Sequence, residues 1–140
     1  PLSSVHVSHG SHNDVISLAN ALKGCTCNRL CHIDLYGTNM HGHVADLAPL
    51  VRSSLERLDL RMCGLGDDDV TDLVSILPAG HGLEWIVVGG NAFSLDAVKT
   101  LTHHLRGLPK LNTLCLLYVG GDVQSVRQVV NQNLPNITYI

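Results

Sequence analysis

Aliphatic residues recur along this chain in one local pattern, at the first, fourth and sixth positions of a short run, and no other feature limits its possible folds as much. The runs are Leu2-Val5-Val7, Leu30-Ile33-Leu35, Leu55-Leu58-Leu60, Leu83-Ile86-Val88 and Leu111-Leu114-Leu116, with a partial copy at Leu134-Ile137. Their leading leucines stand 28, 25, 28, 28 and 23 residues apart. Fourth and sixth positions share one face of an extended chain, so each run reads as a short strand.

Behind each run lies a second segment with apolar residues at helical spacing: Val15, Leu18, Leu22; Val44, Leu47, Leu50 or Val51; Val70, Leu73, Ile76 or Leu77; Leu95, Val98, Leu101, Leu105; Val123, Val126, Val130. Ser94 and Asp122 are suited to cap helix starts, and Gly24, Gly80 and Gly107 fall where helices are expected to end. Strand and helix thus alternate about five times. Such a unit cannot bury its own apolar face. Stacking successive units in register closes the core, with a parallel sheet inside a curve and helices outside it.

The expected fold is therefore α/β: an open horseshoe segment with the sheet on its concave face and the helices on its convex face. It occupies residues 1–140 as a single domain, with units starting near Leu2, Leu30, Leu55, Leu83 and Leu111 and a terminal strand from Leu134. Composition agrees. Hydrophobic residues make up 45% and charged residues 15%, enough apolar material for one core, and aromatics at 4% make that core aliphatic.

Two runs carry a closer signature. Leu55-Glu-Arg-Leu-Asp-Leu-Arg-Met-Cys63-Gly-Leu65 and Leu83-Glu-Trp-Ile-Val-Val-Gly-Gly-Asn91-Ala-Phe93 place Cys or Asn at the ninth position, where a polar side chain can satisfy backbone groups as the chain turns away from the strand. The other copies carry Gly10, Thr38 and Val119 there. This pattern resembles the leucine-rich repeat, and a 28-residue period with a helix in each unit resembles its ribonuclease-inhibitor-like subtype. Within that subtype, the run at 58–67 and the irregular 25- and 28-residue lengths look like the C-terminal leucine-rich repeats of NLR proteins, the intracellular innate immune receptors. The resemblance implies a sensing or autoregulatory domain that follows a nucleotide-binding module. A stand-alone inhibitor or scaffold similar to ribonuclease inhibitor is the alternative, although Arg57 and Arg61 at the centre of the sheet suit a basic target poorly. Pro1-Leu2 opens inside a unit and Leu134–Ile140 supplies only a strand, so the chain is expected to be a piece of a larger protein whose open strand edges favour self-association.

Second, third, fifth and seventh positions project from the sheet, which outlines a candidate binding face: His32, Asp34, Tyr36, Arg57, Asp59, Arg61, Trp85, Val87, Cys115 and Leu117. Trp85, the only tryptophan, is placed outward beside Arg57, Tyr36 and Arg61, residue types enriched at interface hot spots. It acts either as a contact residue or as a cover over neighbouring side chains. Val87, Cys115 and Leu117 are likewise either a partner patch or surface covered by sequence beyond this chain. The expected partner is a protein or microbial ligand.

Other chemistries have weaker support. The net charge of -3 leaves no cationic surface for nucleic acid, and no apolar run approaches the roughly 18 residues of a membrane span. Five cysteines, an odd number, favour reduced thiols and the cytosol; the sequon Asn136-Ile137-Thr138 matters only in the secretory pathway. Cys25, Cys27, Cys31 and His32 crowd within eight residues near His41 and His43 as a zinc candidate, but a strand from Leu30 separates them. No two histidines stand at i,i+4, and no phosphate loop or strained nucleophile is evident. No catalytic residue, metal or cofactor is expected.

Overall fold

The computed structural model describes residues 2–25 and 29–140. It is an α/β protein built on one six-stranded parallel sheet in sequential order. The strands are β1 (Ser4–His6), β2 (His32–Asp34), β3 (Arg57–Asp59), β4 (Trp85–Val87), β5 (Thr113–Cys115) and β6 (Thr138–Tyr139). From β1 to β5, each strand occupies the third to fifth residues of an aliphatic run. Val5, Ile33, Leu58, Ile86 and Leu114 pair as one continuous rung across the sheet.

Parallel neighbours require a crossover. The crossovers are α1 (His12–Leu22), a 3-10 turn at Val44–Leu47, α2 (Asp67–Ile76), α3 (Leu95–Leu105) and α4 (Val123–Asn133). They pack in chain order: α1 on the turn, the turn on α2, α2 on α3 and α3 on α4. Between them and the sheet lies one aliphatic core. Ile33, Leu58, Ile86 and Leu114 are completely buried in it, each worth about 1.5–3 kcal/mol relative to an exposed position.

Helix starts are closed by side chains. The Ala97 N–H donates to Ser94 Oγ at 3.1 Å, and the Ser125 N–H to Asp122 Oδ1 at 3.0 Å, at the two expected caps. Ser11 and Asp14 form a reciprocal capping box at α1. At α2, Asp69 accepts the Gly66 N–H at 2.8 Å, and Asp67, Asp68 and Asp69 set negative charge on the positive end of the helix.

Three details differ from the expectation. The second crossover is a 3-10 turn because its unit is three residues shorter than its neighbours and Pro49 has no N–H to extend a helix; Val44, Leu47, Leu50 and Val51 are nevertheless buried. Val123, expected inward, is the first residue of α4 and is exposed. The terminal strand begins later than Leu134. Leu114 pairs with Tyr139 and Thr113 with Thr138, so the run slips by two residues, and Tyr139 rather than Ile137 takes the fourth position.

The ninth-position side chains link consecutive turns. Asn91, buried, accepts the N–H groups of Cys63 at 3.1 Å and Leu65 at 3.0 Å, and donates through Nδ2 to the carbonyls of Leu60 and Val88, both at 2.8 Å. Cys63 Sγ donates to the Leu35 carbonyl at 3.1 Å. Thr38 does the same work one turn earlier, donating to the Val7 carbonyl at 2.8 Å and accepting the Gly10 N–H at 3.2 Å.

Candidate recognition surface

The exposed face of the sheet presents two separate groups of side chains. The first follows the third positions, where His32 pairs with Arg57 and Arg57 with Trp85 in register. Arg57 is exposed, and His32 and Trp85 are half-buried. Next to His32, His6 meets it edge to face with ring centroids 5.0 Å apart and lies 3.5 Å from the Asp34 carboxylate. Trp85 therefore neighbours Arg57, but not Tyr36 or Arg61. Those two lie four residues further along the chain than His32 and Arg57, in the turns that follow β2 and β3, roughly 13 Å away.

The second group sits at that far end. An acid at the fifth position accepts the N–H of the seventh in two adjacent strands: Asp34 Oδ1 from Tyr36 at 3.0 Å and Asp59 Oδ1 from Arg61 at 3.0 Å. Arg61 folds back so that its Nε donates to Asp59 Oδ1 at 3.0 Å and Oδ2 at 2.8 Å, with its guanidinium carbon 5.3 Å from the centre of the Tyr36 ring. Hydrogen bonding to Asp59 outweighs the cost of partial burial and raises the Arg61 pKa above its ordinary value.

Asp59 and Val87, both expected on the binding face, are each only 2% exposed. Arg61 covers the Asp59 carboxylate, so Asp59 serves to hold Arg61 in place. Val87 presents no surface of its own. His32, Asp34 and Cys115 are half-buried, whereas Tyr36, Arg57, Arg61 and Leu117 are open to solvent.

Tyr36, Arg61, Cys115 and Leu117 come together around a cup of about 270 Å³, joined by Met62 and Tyr118, with Gly89 and Gly90 beneath. Met62 is 56% exposed and Tyr118 89%, and neither was expected at the surface site. The sequence signal for them is positional. The eighth residue of all five units has positive φ: His9 at 53°, Gly37 at 70°, Met62 at 56°, Gly90 at 71° and Tyr118 at 60°. Glycine adopts this conformation without penalty; a larger residue pays about 1 kcal/mol or more.

The remaining depressions are less selective. A shallow groove of about 500 Å³ is lined by Gln124, Ser125, Arg127, Gln128, Asn131 and Gln132, all from α4, and is simply the outer face of that helix. Among the described residues, no group of three or more His, Cys, Asp or Glu side chains is placed to hold a metal ion; Cys27 lies outside the described residues. Among the described residues, too, no helix is long and apolar enough to cross a membrane.

No protein-family model matches the chain, and no curated protein matches it.

Proposed function

We propose that this chain is a leucine-rich repeat recognition module, an open horseshoe whose sheet faces a protein or microbial ligand, and that it serves as the C-terminal sensing or autoregulatory segment of a cytosolic NLR-type receptor. One observation carries the recognition reading. Five strands stand in the same register, so third- and seventh-position side chains form regular rows, with Arg57 and Trp85 in one and Tyr36, Arg61 and Leu117 in the other. A lattice of this kind exists before a partner arrives, so little ordering cost falls on binding. The receptor assignment rests on the resemblance of the 58–67 run and the irregular unit lengths.

The test begins with the full reading frame. A nucleotide-binding module with a phosphate loop upstream supports the receptor assignment, and a start codon immediately before Pro1 defeats it. With that module expressed separately, this chain should bind it or an activating ligand, and Trp85→Ala should weaken the complex by about 2 kcal/mol, close to 30-fold. Unchanged affinity in Trp85→Ala and Arg57→Ala would remove the sheet face from the interface.

A further inference from the structure

The cup at the seventh and eighth positions combines three properties. Its rim is built from Tyr, Arg, Met and Leu side chains, and aromatic residues, Met and Arg are enriched where protein interfaces are fully desolvated. Its floor is kept low by glycine. A Cβ on Gly89 would stand 2.6 Å from the Leu117 carbonyl oxygen, and one on Gly90 would stand 2.4 Å from the Met62 sulfur. Two of its rim residues, Met62 and Tyr118, hold large apolar side chains outward from a left-handed backbone that Gly37 and Gly90 adopt in neighbouring units. Exposed apolar side chains on a strained backbone point to function.

Size and charge narrow the occupant. At about 270 Å³ and open to solvent, the cup is large enough to take one side chain of a protein partner. The charges nearby are layered. Asp59 lies beneath with both oxygens engaged by Arg61, and Asp34 is recessed behind with its side chain 23% exposed. In front of them stands the Arg61 guanidinium, its side chain 46% exposed, with Nε and Nη2 held by Asp59 and Nη1 without a partner among the described residues. Asp59 and the Tyr36 ring fix the orientation of that fork, so its outer edge is pre-organised to donate to a carboxylate.

We propose that this cup anchors a protein partner that inserts one aromatic or aliphatic side chain between Met62, Leu117 and Tyr118 and lays a neighbouring carboxylate on Arg61. This rests on the recognition reading and deepens it, adding to Trp85 a second anchor at the opposite end of the strands. The apolar side chain supplies affinity, and the acid fixes its orientation and excludes basic segments.

The chain has two methionines, which makes the test direct. Met62 lines the cup, and Met40 is completely buried. With the methionine methyl groups labelled with carbon-13, the Met62 signal reports the cup and the Met40 signal reports the fold. Titration with the capped peptide acetyl-Ser-Phe-Glu-Ser-amide should shift Met62 saturably in the millimolar range and leave Met40 in place. Replacing the peptide Phe by Ala should abolish the shift, and replacing its Glu by Lys should weaken binding by about fivefold or more. Arg61→Ala should erase the preference for Glu over Lys while Met40 keeps its position. A Met62 signal unmoved by all three peptides up to about 10 mM overturns the proposal. Equal binding of the Glu and Lys peptides overturns its carboxylate half. A shift of the Trp85 indole signal without one at Met62 would sink the cup and leave the sheet-face reading standing.

Discussion

Met62 lies across Gly90: a Cβ built on that glycine would meet the Met62 sulfur at 2.4 Å, well inside van der Waals contact. His9 and Gly37 repeat the arrangement two units earlier, with the His9 ring 2.5 Å from the corresponding point. Large and absent side chains therefore alternate along the eighth positions, and His9 and Met62 each rest on the glycine of the next unit. Gly90 is also at φ 71°, where any other residue is strained.

Gly90→Ala combines the clash with the strained φ and should cost about 1–3 kcal/mol, read as a lowered urea midpoint with unchanged slope. Met62→Gly removes both the strain and the contact, so it should alter stability by less than about 1 kcal/mol. A Gly90→Ala variant as stable as the wild type would show that Met62 moves aside freely.

Asn91 carries a larger share of the fold than its size suggests. Asn91→Ala would leave two N–H groups, on Cys63 and Leu65, and two carbonyls, on Leu60 and Val88, without the side-chain partner they now have. Each buried group left unpaired costs about 1–3 kcal/mol, and partial relaxation makes a total loss of about 3 kcal/mol the expected value in chemical denaturation. Amide exchange should rise first at Cys63 and Leu65.

The strands were legible because the buried rung demands an aliphatic residue at the fourth position of each run, and Ile33, Leu58, Ile86 and Leu114 meet that demand unambiguously. The last strand was not. Leu134 and Ile137 offer the same spacing as Asn136 and Tyr139, and only hydrogen bonding to β5 selects the second pair. On the candidate surface, Tyr36, Arg61 and Leu117 were legible from the two-residue alternation, which carries on into the turn just past each strand. Burial of Asp59 does not, since it depends on how Arg61 folds back. Met62 and Tyr118 escaped because hydrophobic periodicity encodes which way a side chain points and says nothing about the sign of φ.

Asp69 makes acid stability depend on one carboxylate. Burial favours its protonated form, but the N–H groups of Gly66 and Gly42 and the ring of His41, 2.8 Å from Oδ2, together outweigh burial and lower its pKa. A carboxyl lowered in the folded state stabilises the fold above its unfolded pKa, about 3.9, and loses that contribution as pH falls through the lower folded value. Asp69→Ala should therefore cost about 2 kcal/mol at pH 7, and the gap to wild type should narrow below about pH 4. A gap that stays constant from pH 7 to pH 2.5 would assign the loss to packing alone.

Cys63 reports whether the turns stay closed. It is fully buried, and burial, then the nearby Asp59 charge, push its thiol pKa up to about 12, so almost no thiolate exists near neutrality. Iodoacetamide at pH 8 should leave Cys63 unmodified in the folded chain, as read by peptide mass spectrometry, and should reach it only at the rate of opening. Asn91→Ala loosens the neighbouring turn by removing the acceptor of the Cys63 N–H, and it should speed alkylation of Cys63 by about tenfold or more if opening there costs at least 1.4 kcal/mol less. Because Gly90→Ala strains the eighth position and leaves that hydrogen bond in place, it should accelerate the same reaction less than Asn91→Ala at matched global stability. Equal acceleration by both would mean that Cys63 is exposed only by global unfolding, and that the ninth-position ladder does not close its turn independently.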